Sequence, residues 1–101
     1  MKLSRELKKY SQFCAYCGHP FFYYEQKTID HLKPKSKGGK GALSNIVCAC
    51  APCNNEKADS DLKDWLKPKF RRIKLKAYLK AMRGFKKHYS ELIFKKIREA
   101  I

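Results

Sequence analysis

Asp30 and His31 are adjacent, Asn45 lies between them and a second asparagine at Asn54, and Lys57 follows Asn54 at a three-residue step. Together they offer an imidazole, a carboxylate, two carboxamides and an ammonium, which is the chemistry that phosphodiester hydrolysis needs. That reaction requires an activated water, neutralisation of developing charge and stabilisation of the leaving oxygen. A histidine titrates near ~6.5, so His31 is largely neutral around pH 7 and can accept a proton from water. Asp30 supplies a hard oxygen that suits magnesium or manganese. Its side chain is expected across the strand from His31, or beside it if a bulge turns it. Asn54 offers a second oxygen to the same ion. Lys57, one helical turn on, is expected at the scissile phosphate. Taken singly, each residue has an ordinary reading: an ion pair for Asp30, a turn for Asn45, a helix's first turn for Asn54, and one of 24 basic residues for Lys57.

Four cysteines flank this set. Cys14-Ala-Tyr-Cys17 and Cys50-Ala-Pro-Cys53 are two CxxC pairs separated by 32 residues. Two such pairs provide four thiolates for a tetrahedral zinc, and a closed all-sulfur shell leaves no open position for chemistry, so the predicted role is structural. A redox reading would leave the second pair unexplained. Cys48 is left over and is expected to be buried, although Cys48-Ala-Cys50 competes for the register.

The elements that must hold these groups follow from local pattern. Leu3, Leu7 and Tyr10 space a short amphipathic helix. Phe13–Pro20 forms a turn in which Gly18 frees the backbone. Phe21 to Ile29 reads as a strand running into Asp30-His31, Lys33–Ala42 as a loop, and Asn45–Ala49 as the returning strand. A helix opens near Cys50, tolerates Pro52 in its first turn and ends around Asp59-Ser60. Asp61–Leu66 is a further helical piece. Beyond Phe70, Leu75, Leu79, Met82, Tyr89, Ile93 and Ile97 recur at helical steps, giving a long basic C-terminal helix, or two interrupted near Gly84.

The ordered set Asp30-His31-Leu-Lys-Pro, Gly38-Gly39, Ser44-Asn45-Ile46 and Cys50-x-x-Cys53-Asn54-x-x-Lys57 resembles the HNH endonuclease family in its zinc-bound form. The resemblance runs from about Cys14 to Lys57. It implies an α+β fold with a small ββα-metal (His-Me finger) core, a four-cysteine zinc site and additional helices. It also gives Asn45 a structural task in the catalytic centre, holding the loop that orients His31. The third signature position is often histidine in the family and is Asn54 here, which turns the expected catalytic ion toward Mg2+ or Mn2+. The whole is expected to be a single HNH nuclease domain, with a zinc-clamped core over residues 1–60 and a basic helical extension over 61–101.

Charge narrows the partner class loosely, since a ribosomal or membrane-surface role would carry a similar excess of basic residues. The chain carries a net +15, with +5 on residues 1–60 and +10 on residues 61–101. A surface this basic seeks a polyanion. Lys33, Lys35, Lys37, Lys69, Arg71, Arg72, Lys74, Lys76, Lys80 and Arg83, with Lys86 and Lys87, are expected to contact nucleic-acid phosphates, which position a substrate without reading its sequence. No apolar run approaches the ~20 residues of a membrane span, and the basic start has no apolar segment behind it. The expectation is a cytoplasmic protein, monomeric or weakly dimeric, without a small-molecule cofactor, that cuts DNA. A non-catalytic zinc module binding DNA or RNA accounts equally well for the charge and the cysteines.

Overall fold

The structure, a computed structural model, describes residues 2–86 and 88–100, with backbone alone at Lys2. Lys87, one of the expected phosphate contacts, lies outside them.

Alternation organises the central hairpin. In β1 (Lys27–His31), Thr28 and Asp30 take one face while Lys27, Ile29 and His31 take the other. β1 pairs antiparallel with β2 (Ile46–Cys50), with Lys27 opposite Cys50, Asp30 opposite Val47 and His31 opposite Ile46. Every residue of β2 is buried. The strand does not start at Phe21 as the sequence suggested. Phe21–Tyr24 lacks a polar alternate, and the Gln26 side chain accepts hydrogen bonds from the amides of Phe22 and Tyr23 at 2.8 and 3.2 Å, tightening the segment into a turn.

The connection from β1 to β2 is tied from within. Asn45 is buried, its Oδ1 accepts from the Lys33 amide at 2.9 Å, and its Nδ2 donates to the carbonyls of Lys33 and Lys40 at 3.1 and 2.8 Å. Gly39 is required by close approach, because a Cβ there would fall 1.7 Å from the Lys33 carbonyl oxygen.

Helix α1 (Lys2–Tyr10) buries Leu7, while Leu3 and Tyr10 remain exposed. Helix α2 (Ala51–Lys57) carries Pro52 where its missing N–H costs nothing. It ends earlier than its polar continuation suggested, because Ala58 leaves the helix at φ +47° and ψ −124°. That backbone conformation favours glycine, so Ala58→Gly is expected to raise the urea midpoint by an amount equivalent to about 1 kcal/mol.

Three helices follow: α3 (Leu62–Trp65), α4 (Lys69–Ala81) and α5 (Tyr89–Ala100). The basic C-terminal stretch is therefore two helices, not one long one. Gly84 sits between them where a Cβ would come 2.6 Å from the Tyr10 hydroxyl, and His88 adopts φ +69°. Leu75, Leu79, Met82, Tyr89 and Ile93 are buried in the core they share with α1 and β2, and Ile97 packs against it partly buried. Tyr78 and Tyr89 close the open edge of the hairpin: the Cys48 amide donates to the Tyr78 hydroxyl at 3.1 Å, and the Tyr89 hydroxyl donates to the Ile46 carbonyl at 2.9 Å. Among the described residues, no helix is long and apolar enough to cross a membrane.

Candidate active site

The two CxxC turns converge. The Gly18 amide donates to the Cys14 carbonyl at 3.0 Å and the Cys14 amide to the His19 carbonyl at 2.9 Å, closing the first knuckle. Cys50 ends β2 and Cys53 lies in the first turn of α2, so the second knuckle straddles a strand-to-helix junction. The four sulfurs all lie within 4.8 Å of one another, and those of Cys17 and Cys50 are 3.9 Å apart. Zn–S bonds of ~2.3 Å in a tetrahedron place sulfurs about 3.8 Å apart, so the cluster is of a size that suits zinc. Burial, and after it the charge at Cys14, push Cys50 up to about 11 and Cys53 higher still. Four thiolates therefore require a cation between them. Cys48 is fully buried outside the cluster, and burial holds its thiol at about 11, as an apolar filler requires.

One step from this clamp is a cleft of about 240 Å³ whose walls include Asp30, His31, Lys35, Asn54, Ala58 and Asp59. Asn54 enters from α2 with its orientation fixed. Its Nδ2 donates to the Thr28 hydroxyl at 3.0 Å and to the Ile29 carbonyl at 3.3 Å, and among the described residues Oδ1 has no partner. Asp30 enters from β1, nearly buried. The Tyr16 hydroxyl donates to its Oδ2, and the Lys57 ammonium lies 3.2 Å from the same atom. Neither contact uses Oδ1. Burial raises the Asp30 carboxyl above its ordinary value, even though the Tyr16 hydrogen bond and the Lys57 charge both pull it down. The charge of Asp30 is thus undercompensated, and a divalent cation held by Asp30 and Asn54 would supply the remainder. His31 is half-exposed, and burial followed by the Lys35 charge lowers its pKa below the usual 6.5, so its ring is neutral at pH 7.

Residues 14–60 match the family model described as HNH endonuclease. Over that stretch, 47 of the 101 residues, the chain is similar to HNH endonucleases. A CRISPR-associated endonuclease Cas9 from Corynebacterium diphtheriae is 33% identical over 55 residues, which are 54% of this chain but 5% of that protein. The Type II-C Cas9 enzyme from Actinomyces naeslundii, a crystal structure, has a similar fold with a TM-score of 0.68 at 21% identity, over 96% of this chain and 11% of that one.

Set on this HNH frame, Asp30, His31 and Asn54 share one cleft, and Asn45 sits behind it, stapling the loop that follows His31. Lys57 departs from its expected place. Its ammonium is fully buried, 3.2 Å from Asp30 and donating to the His31 carbonyl at 2.8 Å, so it does not reach a phosphate in the cleft. The reason is geometric: α2 lies across β1 on the face that carries Asp30, and a long cation there meets the carboxylate before it meets solvent. Removing one partner of a buried ion pair strands the other. Lys57→Met is therefore expected to cost about 3 kcal/mol or more in urea unfolding, with part recovered in Lys57→Met/Asp30→Asn.

The basic residues divide. Arg71 stacks on the Trp65 ring at 3.5 Å, donates to the Trp65 carbonyl at 2.9 Å and pairs with Glu56 at 3.2 Å. Arg72 donates to the carbonyls of Leu66 and Lys67 at 2.7 and 2.8 Å. Both guanidinium groups are committed to carbonyls at and just beyond the end of α3, a structural task that the sequence did not suggest. Lys37 is exposed and paired with Asp61 at 2.8 Å. Lys74 lays its chain along the Gly18 knuckle, where a Cβ on Gly18 would meet its Cδ at 2.9 Å. Lys33, Lys35, Lys69, Lys76, Lys80 and Arg83 are exposed, Lys35 at the cleft itself.

Two residues that matter to the site were not picked out from the sequence. Tyr16, fully buried between two zinc ligands, carries the hydroxyl that holds Asp30; the signal was a hydroxyl-bearing ring inside the knuckle. Thr28, two residues before Asp30 on the same strand face, orients Asn54; strand alternation alone pointed to it.

Proposed function

We propose that this chain is a metal-dependent DNA endonuclease, with residues 1–60 as its nuclease core and 61–101 as a helical extension. What supports the reading most is that Asp30, His31 and Asn54 line a single cleft, two oxygens of which are left open by the surrounding hydrogen bonds. In this reading His31 accepts a proton from water as the water oxygen bonds to phosphorus. The bond from phosphorus to the 3′ oxygen then breaks, leaving a 5′ phosphate on the product. A divalent ion bound by Asp30 and Asn54, magnesium or manganese, would neutralise charge on the departing oxygen. Exposed lysines around the cleft would hold phosphates on either side, and the reducing cytosol would keep the zinc thiolates intact. A single site cuts one strand, so the expected product is a nick.

One observation favours a non-catalytic DNA- or RNA-binding module instead: Asp30 is already paired with Lys57. Supercoiled plasmid separates the two readings. Nicking by zinc-loaded protein with magnesium or manganese, and none without added divalent ion, is the expected result. A salt-dependent mobility shift with no nicking under any metal condition would give the binding module precedence.

A further inference from the structure

Phe22 and Tyr23 are 71% and 68% exposed, and Tyr24 is 43% exposed. Consecutive rings left in water gain nothing for the fold, and an exposed apolar patch of this kind marks a contact surface. The turn that carries them is rigid, because the Gln26 side chain accepts hydrogen bonds from both the Phe22 and Tyr23 amides. Lysines are interleaved with the rings. Lys8 lies 5.1 Å and Lys27 6.0 Å from the Tyr24 centroid, and Lys27 donates to the Lys8 carbonyl at 2.6 Å. Glu25 is the acidic residue within the turn. The turn also abuts the cysteine cluster: Gln26 lines a hollow of about 540 Å³ together with Cys17, Cys50 and Cys53, and with His19, whose ring meets Phe22 edge-on at 6.2 Å.

Charge complementarity selects the occupant. A chain of net +15 repels basic partners and attracts polyanions. The polyanion that also presents flat apolar faces is a nucleic-acid strand with unpaired bases, since a duplex hides those faces by stacking them on each other. We propose that the Phe22–Tyr24 turn is a stacking platform for unpaired DNA bases at the end of β1 opposite His31. The platform leads directly into β1, whose length places Lys27 about 13 Å from His31, within reach of one bound strand. The inference rests on DNA being the substrate and adds that single-stranded or locally melted DNA is the preferred form.

The test is equilibrium binding by fluorescence anisotropy in the His31→Ala protein without added divalent ion, so that cleavage plays no part. The probes are a thymidine dodecamer, the matching uridine dodecamer, and a blunt duplex. Phe22→Ala/Tyr23→Ala is expected to weaken thymidine binding by about tenfold or more, with less than a twofold change on the duplex. Phe22→Trp/Tyr23→Trp should retain thymidine binding, whereas Phe22→Leu/Tyr23→Leu, equally apolar but without ring faces, should not. Both positions are exposed, so circular dichroism and zinc content should stay unchanged. Equal losses on single strand and duplex, full binding by the leucine variant (which would show that ring faces do not hold the strand), or tighter binding of the uridine strand would each overturn the proposal. A protein that passes this test but does not nick plasmid would lose the nuclease reading alone.

Discussion

His31→Ala is expected to lower plasmid nicking by at least about a hundredfold while leaving fold and zinc content unchanged. The ring is half-exposed at the end of β1, and among the described residues its side chain makes no hydrogen bond, so its removal costs the structure little. What it removes is the one neutral nitrogen base in the cleft. The pH profile gives an independent check. A general base works only when unprotonated, and burial together with the Lys35 charge holds the His31 pKa below 6.5, with the Asp30 charge opposing them. Activity should therefore remain high through pH 6.5 and fall as pH drops through the lowered value. A cation on Asp30 would shift it the same way. Lys35→Gln should move the acidic limb upward, because it removes a positive charge that disfavours the imidazolium. Full nicking by His31→Ala, or an acidic limb lying above 6.5, would falsify the assignment.

The residues proposed to do the chemistry were legible because they are spaced by backbone geometry. Adjacent positions on a strand, one turn on a helix and a pair of CxxC knuckles leave little freedom, so Asp30, His31, Asn54 and the four cysteines could be gathered before any fold was known. The zinc register was also decidable in principle: Cys50 and Cys53 straddle a strand-to-helix junction, whereas Cys48 points into the core two residues earlier.

What the sequence did not show was how charged side chains choose among competing partners. Lys57 was placed correctly on the helix face but not at its end point, because the choice between a substrate phosphate and Asp30 depends on how far β1 lies beneath α2. Arg71 and Arg72 look like any other member of a basic run. Only the carbonyls at and just beyond the end of α3 commit them to a structural task. The same holds for element limits. Phe21–Tyr24 has the composition of a strand, and a single side chain, Gln26, folds it into a turn. The break between α4 and α5 depends on Gly84 fitting under Tyr10, a contact between segments more than seventy residues apart.

Cys14→Ser is expected to do what no cleft substitution does, removing structure and activity together. Cys14 is fully buried, and its sulfur is one of four in a cluster that spans residues 14 to 53. A hydroxyl is a poor zinc ligand, and the binding energy of a four-thiolate zinc, about 10 kcal/mol or more, is folding energy for the segment it closes. The knuckle also carries Tyr16, whose hydroxyl holds the Asp30 carboxylate, so a loosened clamp releases a proposed metal ligand as well. Zinc per chain, the cooperativity of thermal unfolding and nicking should all fall together in Cys14→Ser. The control is Cys48→Ser, equally buried but outside the cluster, which should cost about 1–3 kcal/mol and leave zinc stoichiometry unchanged. Chelation of zinc from the intact protein should reproduce the Cys14→Ser phenotype. Helical signal from α4 and α5 should outlast that of the hairpin, because their mutual contacts through Leu79, Tyr89 and Ser90 do not pass through the metal. A Cys14→Ser protein with native circular dichroism and a full complement of zinc would show that the four sulfurs do not share one ion.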